Sequence, residues 1–530
     1  MQSKNRLLLV QVLGCLLLLA SFVGGPRLAI GASPRIEVVS PIWTRFEPTA
    51  ETWTIPIGLL TTDKSAAVAD VKAVRIDGMS ILQATKVSPS TIAVNNITGL
   101  SQEELHQWNL LHSMKAHQEL SSSEMEQYSE LSRALSNNRD LEGADIEVRI
   151  TLLPFQIDNG KTYALEYDLS IGNDIITTTT EVAIVSIQTD PLWKPAELHV
   201  HSKASDGHRE IADLRNIYAS KGYNVLYLTD HVDLIPNYSS GGRTGWDAYT
   251  YDANLFTTSS ISVYPGAEVT AEKRKADDPT IVYHTDVLGY GITGITDLPN
   301  QWYEPQIIIN RINAQSSYAS ATIAHPSAST GYPTSQFTVD SYRGMELMSG
   351  LQTNFRITSP PMKLWYEEQA RILGKTTTYF PSARAGGDYH VFPAPIPDYV
   401  TYVREAAYNN KNSFDAALKA GKTTISQKGG LGYITLGESL PGDPPVIVSS
   451  GTQLSFGYWF RPAVSGNYIL RLCDETGEIR VSKNLNDAQQ GKVYTDVWPK
   501  SVSFTGGKKL FSLYIEGPDY VYSSPIIVRT

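Results

Sequence analysis

The chain has 530 residues, of which 42% are hydrophobic and 18% charged, and a formal net charge of −10. The length is too great for one hydrophobic core and implies two to four domains, and the composition excludes a disordered chain. No long basic run occurs, so no nucleic-acid partner is expected.

The N-terminus reads as an export signal over residues 1–32. Lys4 and Arg6 precede an apolar run from Leu7 to about Val23, and small residues follow at Ala29, Gly31 and Ala32. This pattern predicts cleavage near Ala32 and a periplasmic or extracellular bacterial protein. A membrane would be a partner only if the segment stayed uncleaved as an anchor. Cys15 lies inside the apolar run, which argues against a lipidated start. Cleavage would leave Cys473 as the remaining cysteine, so the mature chain could form no internal disulfide.

Residues 33–190 alternate short β-like runs with turns, among them "TWTIPIGLL", "DVKAVRI", "IEVRITLL" and "YALEYDLS". The expectation is a β-sandwich. A polar insertion at about 101–141 reads as a helical hairpin. His106, His112 and His117 lie in it, at spacings of six and five that do not stack on a helix face, and are read as surface residues.

Residues 191–430 have a different rhythm. Strand-like runs ("AELHVHS", "NVLYLTDH", "SVYPGAEVT", "DVLGYGI", "SATIAHPS", "GMELMSG", "TTTYFPSARAGGDYH") alternate with helical ones such as "HREIADLRNIYASKG" and "PPMKLWYEEQARILG". That is the pattern of βα units. Residues 431–530 return to β-like runs, and a second sandwich without a catalytic constellation is expected there.

Most strands of the middle region end in a candidate metal ligand: His199 and His201, His231, Glu268, His325, then Asp388 with His390, while His284 precedes the fourth strand. Asp206 follows the first pair in a Ser-Asp-Gly turn. In βα architectures the chemistry sits at the carboxyl ends of strands, and His199 and His201, two apart, share one face. Of the seven histidines after Ala196, His208 alone lacks such a place. One such residue would mean little, but the ordered set points to metal.

The motifs "HVHSKASDG", "LTDH", "PGAEVT", "HTDVLGYG", "AHPS" and "GGDYH", in that order, resemble the PHP (polymerase and histidinol phosphatase) metallohydrolases. The flanking β regions and "GMELMSG" look most like their carbaryl-hydrolase-like branch. The resemblance implies a distorted (β/α)7 barrel, so the whole reads as a multidomain α/β plus all-β chain, with an N-terminal and a C-terminal β-sandwich about the barrel. It also implies two to three divalent metal ions (Zn, Mn or Fe). One would take His199, His201, Glu268 and Asp388; Glu268 would bridge to a second, completed by His284 and His325; a third would take Asp206, His231 and His390. Gly387 stands where the family usually has Ser, and Ser349 where it usually has Asn; neither change removes a ligand.

Imidazoles mixed with carboxylates suit Zn, Mn or Fe, whereas a Ca site would be all oxygen. The implied reaction is attack by a metal-activated hydroxide on a small-molecule phosphoester, or on a carbamate or carboxylic ester. Lys203 and Arg384, beside ligand motifs, are the candidate cationic partners, ahead of Arg209, Arg243 and Lys428. Asp206 and His208 are further catalytic candidates, His208 as a proton donor or simply a helix cap. The aromatics of "GGRTGWDAYTY" and "PNQWYEP" are candidates for walls of an apolar pocket, as loops. The alternative is a non-catalytic, metal-stabilised binding module for a surface polymer. The sequence does not decide the oligomeric state.

Overall fold

A computed structural model of the chain describes residues 36–40, 43–45, 53–61, 68–76, 79–80, 83–87, 146–152, 162–171, 174–274, 282–298, 304–326, 339–349, 355–375, 380–390, 399–404 and 407–530. The expected export signal, the helical insertion with its three histidines, and most of "PNQWYEP" lie outside these residues.

The N-terminal region forms two antiparallel-dominated sheets. One is ordered β1 (Ile36–Ser40), β3 (Trp53–Thr61), β7 (Ile146–Leu152), β6 (Gln83–Val87). The other is ordered β2 (Trp43–Arg45), β9 (Asp174–Val185), β8 (Thr162–Ile171), β4 (Val68–Ile76), β5 (Met79–Ser80).

The middle region begins with β10 (Trp193–Val200), α1 (Ile211–Ser220) and β11 (Val225–Leu228). A short hairpin follows, β12 (Ser239–Ser240) with β13 (Arg243–Thr244), and then α2 (Gly245–Phe256), β14 (Ser262–Pro265), β15 (Ala267–Arg274) and β16 (Val282–Tyr290). After them come α3 (Pro305–Ala314), β17 (Ser320–Ile323), β18 (Gly344–Ser349), α4 (Pro360–Leu373), β19 (Ser382–Gly386), β20 (Val400–Arg404), α5 (Lys411–Lys419) and β21 (Thr423–Ser426). The helices form where apolar residues recur at helical spacing: α1 buries Ile211, Leu214 and Tyr218. The stretch Gly245–Tyr251, expected as loop, is the start of α2, which buries Ala248, Tyr249, Asp252 and Ala253.

Pairing in this region departs from a regular (β/α)7 barrel. β10, β11 and β14 pair in parallel in one sheet, whereas β15–β16 and β16–β17 are antiparallel in a second. That second sheet is ordered β15-β16-β17-β18-β19. No helix separates β14 from β15, β15 and β16 pair antiparallel from Ala267–Gly289 to Arg274–Val282, and the described residues are mostly strand with few helices. The two sheets are tied at both ends of the run by parallel bridges, His231 to Glu268 and Val200 to Tyr389.

The first sheet does not stop at the middle region. It continues from β10 through β20 and β21 into the C-terminal strands β31 (Val521–Ser523), β30 (Lys508–Glu516), β26 (Gly466–Asp474) and β27 (Ile479–Ala488), nine strands along this path and eleven with the two that pair off it. β23 (Val446–Ile447) and β32 (Ile526–Arg529) pair beside it. A three-stranded sheet of β22 (Leu431–Leu436), β25 (Phe456–Arg461) and β28 (Tyr494–Val497) shares a core with it that includes Phe456, Phe460, Leu470 and Leu513. A two-stranded pair, β24 (Gln453–Leu454) with β29 (Val502–Ser503), completes the region. Among the described residues no helix is long and apolar enough to cross a membrane.

Candidate metal centre

The two bridges that tie the sheets are made by the site itself. The His201 amide donates to the Tyr389 carbonyl and the Asp388 amide to the His199 carbonyl, both at 2.8 Å. On the other side the Glu268 amide donates to the Asp230 carbonyl at 3.0 Å and the Val232 amide to the Glu268 carbonyl at 2.9 Å. Backbone pairing therefore brings the ends of β10, β11, β15 and β19 to one place.

Three groups of ligand atoms gather there: His199, His201, Glu268 and Asp388; Glu268, Asp286 and His325; and His201, Asp206, His231 and His390. In the first, His201 Nε2 lies 3.0 Å from Glu268 Oε2 and 3.4 Å from Asp388 Oδ1, and His199 Nε2 lies 3.3 Å from Asp388 Oδ1 and 3.4 Å from Glu268 Oε1. In the second, His325 Nε2 stands 3.4 Å from Glu268 Oε1 and 3.6 Å from Asp286 Oδ2. In the third, Asp206 faces His201 Nδ1 at 3.5 Å, His390 Nε2 at 3.5 Å and His231 Nε2 at 3.6 Å. Ligands bound about 2.1 Å from a shared cation sit roughly 3.0–3.5 Å from one another, so the spacing fits divalent ions.

The polar inventory agrees. Glu268 Oε1 and Asp286 Oδ1 are buried and accept no hydrogen bond, a costly state without a cation. His199 and His201 are fully buried, with Nε2 atoms 3.3 Å apart. Burial disfavours charge on both rings, yet Glu346, Asp388 and Glu268 raise His199 well above the ordinary histidine value, and Asp388 and Glu268 push His201 up to about 10. His325 is likewise raised to about 9, against its burial, by Glu268, Asp388 and Asp286. His390 goes the other way, to about 4, through burial and the neighbouring His201. Burial opposes ionisation of Glu268 and Asp388, but the histidines hold both carboxyls well below the ordinary range. Burial and Glu268 raise Asp286.

A second ring of groups orients the first. The Glu346 carboxylate accepts from His199 Nδ1, at 3.1 Å to Oε1 and 3.2 Å to Oε2, and its Oε2 accepts the His325 amide at 3.0 Å. This leaves His199 Nε2 with its lone pair toward the cluster. His390 Nδ1 is 3.0 Å from the Asp388 carbonyl, which does the same for that ring. Glu197 Oε1 accepts the amides of His199 (3.0 Å) and Gly387 (2.8 Å). Asp230 accepts from the Ser202 amide (2.7 Å), Ser202 Oγ (2.8 Å) and Ser205 Oγ (2.6 Å), fixing the turn that carries Asp206. The side chains of His231 and Asp286 are each 20% exposed, which marks the open side of the cluster.

Eight of the nine sequence-derived ligands come together. His284 is placed on β16 opposite Glu272, and its side chain lies outside the described residues; in the second group Asp286 supplies the carboxylate. Sequence reasoning missed Asp286, which lies two residues from His284 on the same strand face, so that alternation admits both. It also missed Glu346, although an acid in β18, a strand buried at all six positions, demands a partner. Lys203 is half exposed and paired with Glu210 at 2.7 Å. Arg384 is fully buried and turned into the strand interior, where it donates to Thr322 Oγ1 and, at 3.1 Å, to the Leu418 carbonyl, with Tyr290 under it. It is a structural cation, not a partner of the metal groups. Arg243 lies over Tyr251 and beside Asp247, and the buried Lys428 lies near Asp519. His208 does not cap α1, whose N-cap position is Glu210; its amide donates to the His390 carbonyl at 2.7 Å.

No family model matches the chain, and no curated protein matches it. Among solved structures it is similar to a two-domain protein containing a predicted PHP-like metal-dependent phosphoesterase from Bacteroides vulgatus, at 16% identity and TM-score 0.34, over 62% of this chain and 93% of that one. A putative alpha-galactosidase from Bacteroides fragilis follows at 8% identity and TM-score 0.20, covering 88% and 98%. A beta-glucuronidase from Bacteroides uniformis has 10% identity and TM-score 0.15, covering 94% and 63%. Likenesses this slight carry no argument about activity, and the carbaryl-hydrolase-like branch finds no support among them.

Proposed function

We propose that this chain is an exported metal-dependent hydrolase that cleaves a small phosphoester at a cluster of up to three divalent ions. One observation carries the reading: three buried His/Asp/Glu groups abut, sharing Glu268 and His201, with an open side at His231 and Asp286. A purely structural site is normally closed by four ligands around a single ion. The bridges that close the two sheets on each other support a strongly distorted barrel as its frame.

When bound, divalent ions at such a cluster lower the pKa of water and stabilise charge on an attacked oxygen. The chain's own residues do the rest. Glu346 and the Asp388 carbonyl fix the tautomers of His199 and His390. Asp230 holds the Asp206 turn, and His208, tied through its amide to His390, is our candidate for protonating the leaving group. Lys203 is paired at the surface and Arg384 lies in the interior, so neither is assigned a part in anion recognition.

The test is elemental analysis of the purified chain together with turnover of a phosphomonoester, a phosphodiester, an aryl carbamate and an aryl ester. Two to three equivalents of Zn, Mn or Fe and phosphoester turnover are expected. Cleavage of the carbamate or aryl ester alone would move the substrate class. Bound metal with no turnover of any of the four would leave the metal-stabilised binding module, and less than one equivalent, not restored by reconstitution, would overturn the hydrolase reading. His231→Ala should lose about one equivalent of metal and at least 100-fold in turnover while keeping its melting temperature within a few degrees. Full turnover in that variant would remove the third site from the mechanism.

A further inference from the structure

The three ligand groups of the cluster differ in their donors. The first, His199, His201, Glu268 and Asp388, offers two imidazoles and two carboxylates, and each of the four residues is more than nine-tenths buried. The third, His201, Asp206, His231 and His390, offers three imidazoles and one carboxylate. The second, Glu268, Asp286 and His325, inverts that ratio, with two carboxylates and one imidazole.

Strand register accounts for the inversion. Across the β15–β16 ladder Glu268 stands opposite Leu288, Asp286 opposite Thr270 and His284 opposite Glu272. Asp286 is two positions along the ladder from Glu268 and His284 is four, roughly 7 and 13 Å at about 3.3 Å per residue. Of the two, the backbone position nearer Glu268 therefore carries a carboxylate. The Asp286 carbonyl also accepts the Ala324 amide at 3.0 Å, which ties β16 to the residue before His325.

The group is aimed at a cation. Glu268 Oε1 is buried, accepts no hydrogen bond and lies 3.4 Å from His325 Nε2. Asp286 Oδ1 is buried and equally unpaired, and Asp286 Oδ2 lies 3.6 Å from the same His325 nitrogen. The Asp286 side chain is nevertheless 20% exposed as a whole. Three protein ligands on an open side leave the remaining coordination positions to solvent or substrate.

Donor chemistry then separates the ions. Imidazole suits zinc, whereas carboxylate and water suit manganese. Zinc is satisfied by four ligands, the number that the first group supplies from the chain. Manganese(II) prefers a six-coordinate shell rich in oxygen, and the second group alone combines an excess of carboxylate with an open side. Zinc outbinds manganese at most nitrogen and oxygen sites, so the preference for zinc should be smallest at this group. We propose that the cluster is heterometallic: Glu268, Asp286 and His325 form a manganese(II) site, and the two groups richer in imidazole hold zinc. The inference rests on the metal centre and not on the hydrolase reading.

The experiment dialyses the full, zinc-loaded chain against buffers of rising manganese(II)-to-zinc ratio. Elemental analysis reads both metals, and electron paramagnetic resonance reads bound manganese. One equivalent of zinc should exchange at a ratio at least tenfold below that needed for the rest. Asp286→His, which gives the group a second imidazole, should raise the ratio for that first exchange at least tenfold, whereas His231→Ala should leave it in place. Asp286→Asn keeps the shape and removes the charge, so it should lose the exchangeable manganese and keep at least one equivalent of zinc. Exchange of all equivalents together, or a first exchange unmoved in either Asp286 variant, would overturn this inference alone. Less than one equivalent of any metal after loading would overturn the metal centre with it.

Discussion

At the scale of single residues, the site shows strain at two of its candidate ligands. Four described non-glycine residues have positive φ, and two of them belong to the candidate metal groups: His325 at 23° and Asp388 at 50°. Such backbones cost on the order of 1–3 kcal/mol and persist when surrounding structure over-determines them. Here that structure is the Asp388 amide bonded to the His199 carbonyl and the His325 amide bonded to Glu346. Glu346 thus holds one candidate ligand by its ring and another by its backbone. Glu346→Gln keeps the shape but removes the charge that polarises His199. It should weaken metal affinity about 10- to 100-fold with little change in circular dichroism, as measured by competition against a chromophoric chelator. Unchanged affinity would reduce Glu346 to a packing residue.

At the scale of elements, β10 and β19 approach so closely that one side chain decides their contact. A Cβ on Gly386 would collide with the His199 Cβ and lie 2.8 Å from Glu346 Oε1. Gly386→Ala must therefore push the strands apart or displace the carboxylate. The expected result is a destabilisation of about 1–3 kcal/mol by urea unfolding and a metal stoichiometry reduced by at least one equivalent. Retention of both would mean that the strands have more room than their pairing shows. α2 illustrates how an element can hide in sequence. Its tyrosines and glycines look like loop, yet Tyr249 and Ala253, four apart, are both buried on one face. The antiparallel β15–β16 pair was hidden for a different reason. A βα rhythm was legible around it, but pairing direction depends on which edge a strand meets, and strand sequence does not state that.

At the scale of the molecule, the eleven-stranded sheet joins the middle and C-terminal regions through β21 and β31, paired from Thr424–Ser523 to Ser426–Val521. Trp365 Nε1 of α4 donates to Tyr522 Oη at 2.6 Å across the same boundary. A chain truncated after Lys428 would expose that edge and the apolar faces beneath it. It should aggregate, or at most refold without a cooperative thermal transition, by light scattering and calorimetry; a soluble, cooperative product would show that the regions are energetically independent. Acid sensitivity also belongs at this scale. Burial opposes the charge of Asp474, but hydrogen bonds from Thr476 and Arg480 hold its carboxyl below the ordinary range. With a folded value below the unfolded one of about 3.9, its contribution is present above that pH and is lost as pH falls through the folded value. Between pH 6 and pH 3, Asp474→Asn should lose less stability to urea than the wild type; an equal loss would place the acid sensitivity elsewhere.

What could be read in the sequence is a set of candidate metal ligands and the strand ends that carry them, and eight of those nine candidates gather in the structure. Strand alternation puts His199 and His201 on one face, and imidazoles and carboxylates seldom recur in order at strand ends unless they share a cation. It likewise marked the helices with a clean apolar stripe, such as α1. It could not determine that Asp286 joins the cluster, that Arg384 turns inward while Glu346 reaches His199, or that the C-terminal strands extend the central sheet. Each of those depends on what lies across a gap from the residue. Periodicity records which side of its own element a residue faces, whereas tertiary packing alone decides what it meets there.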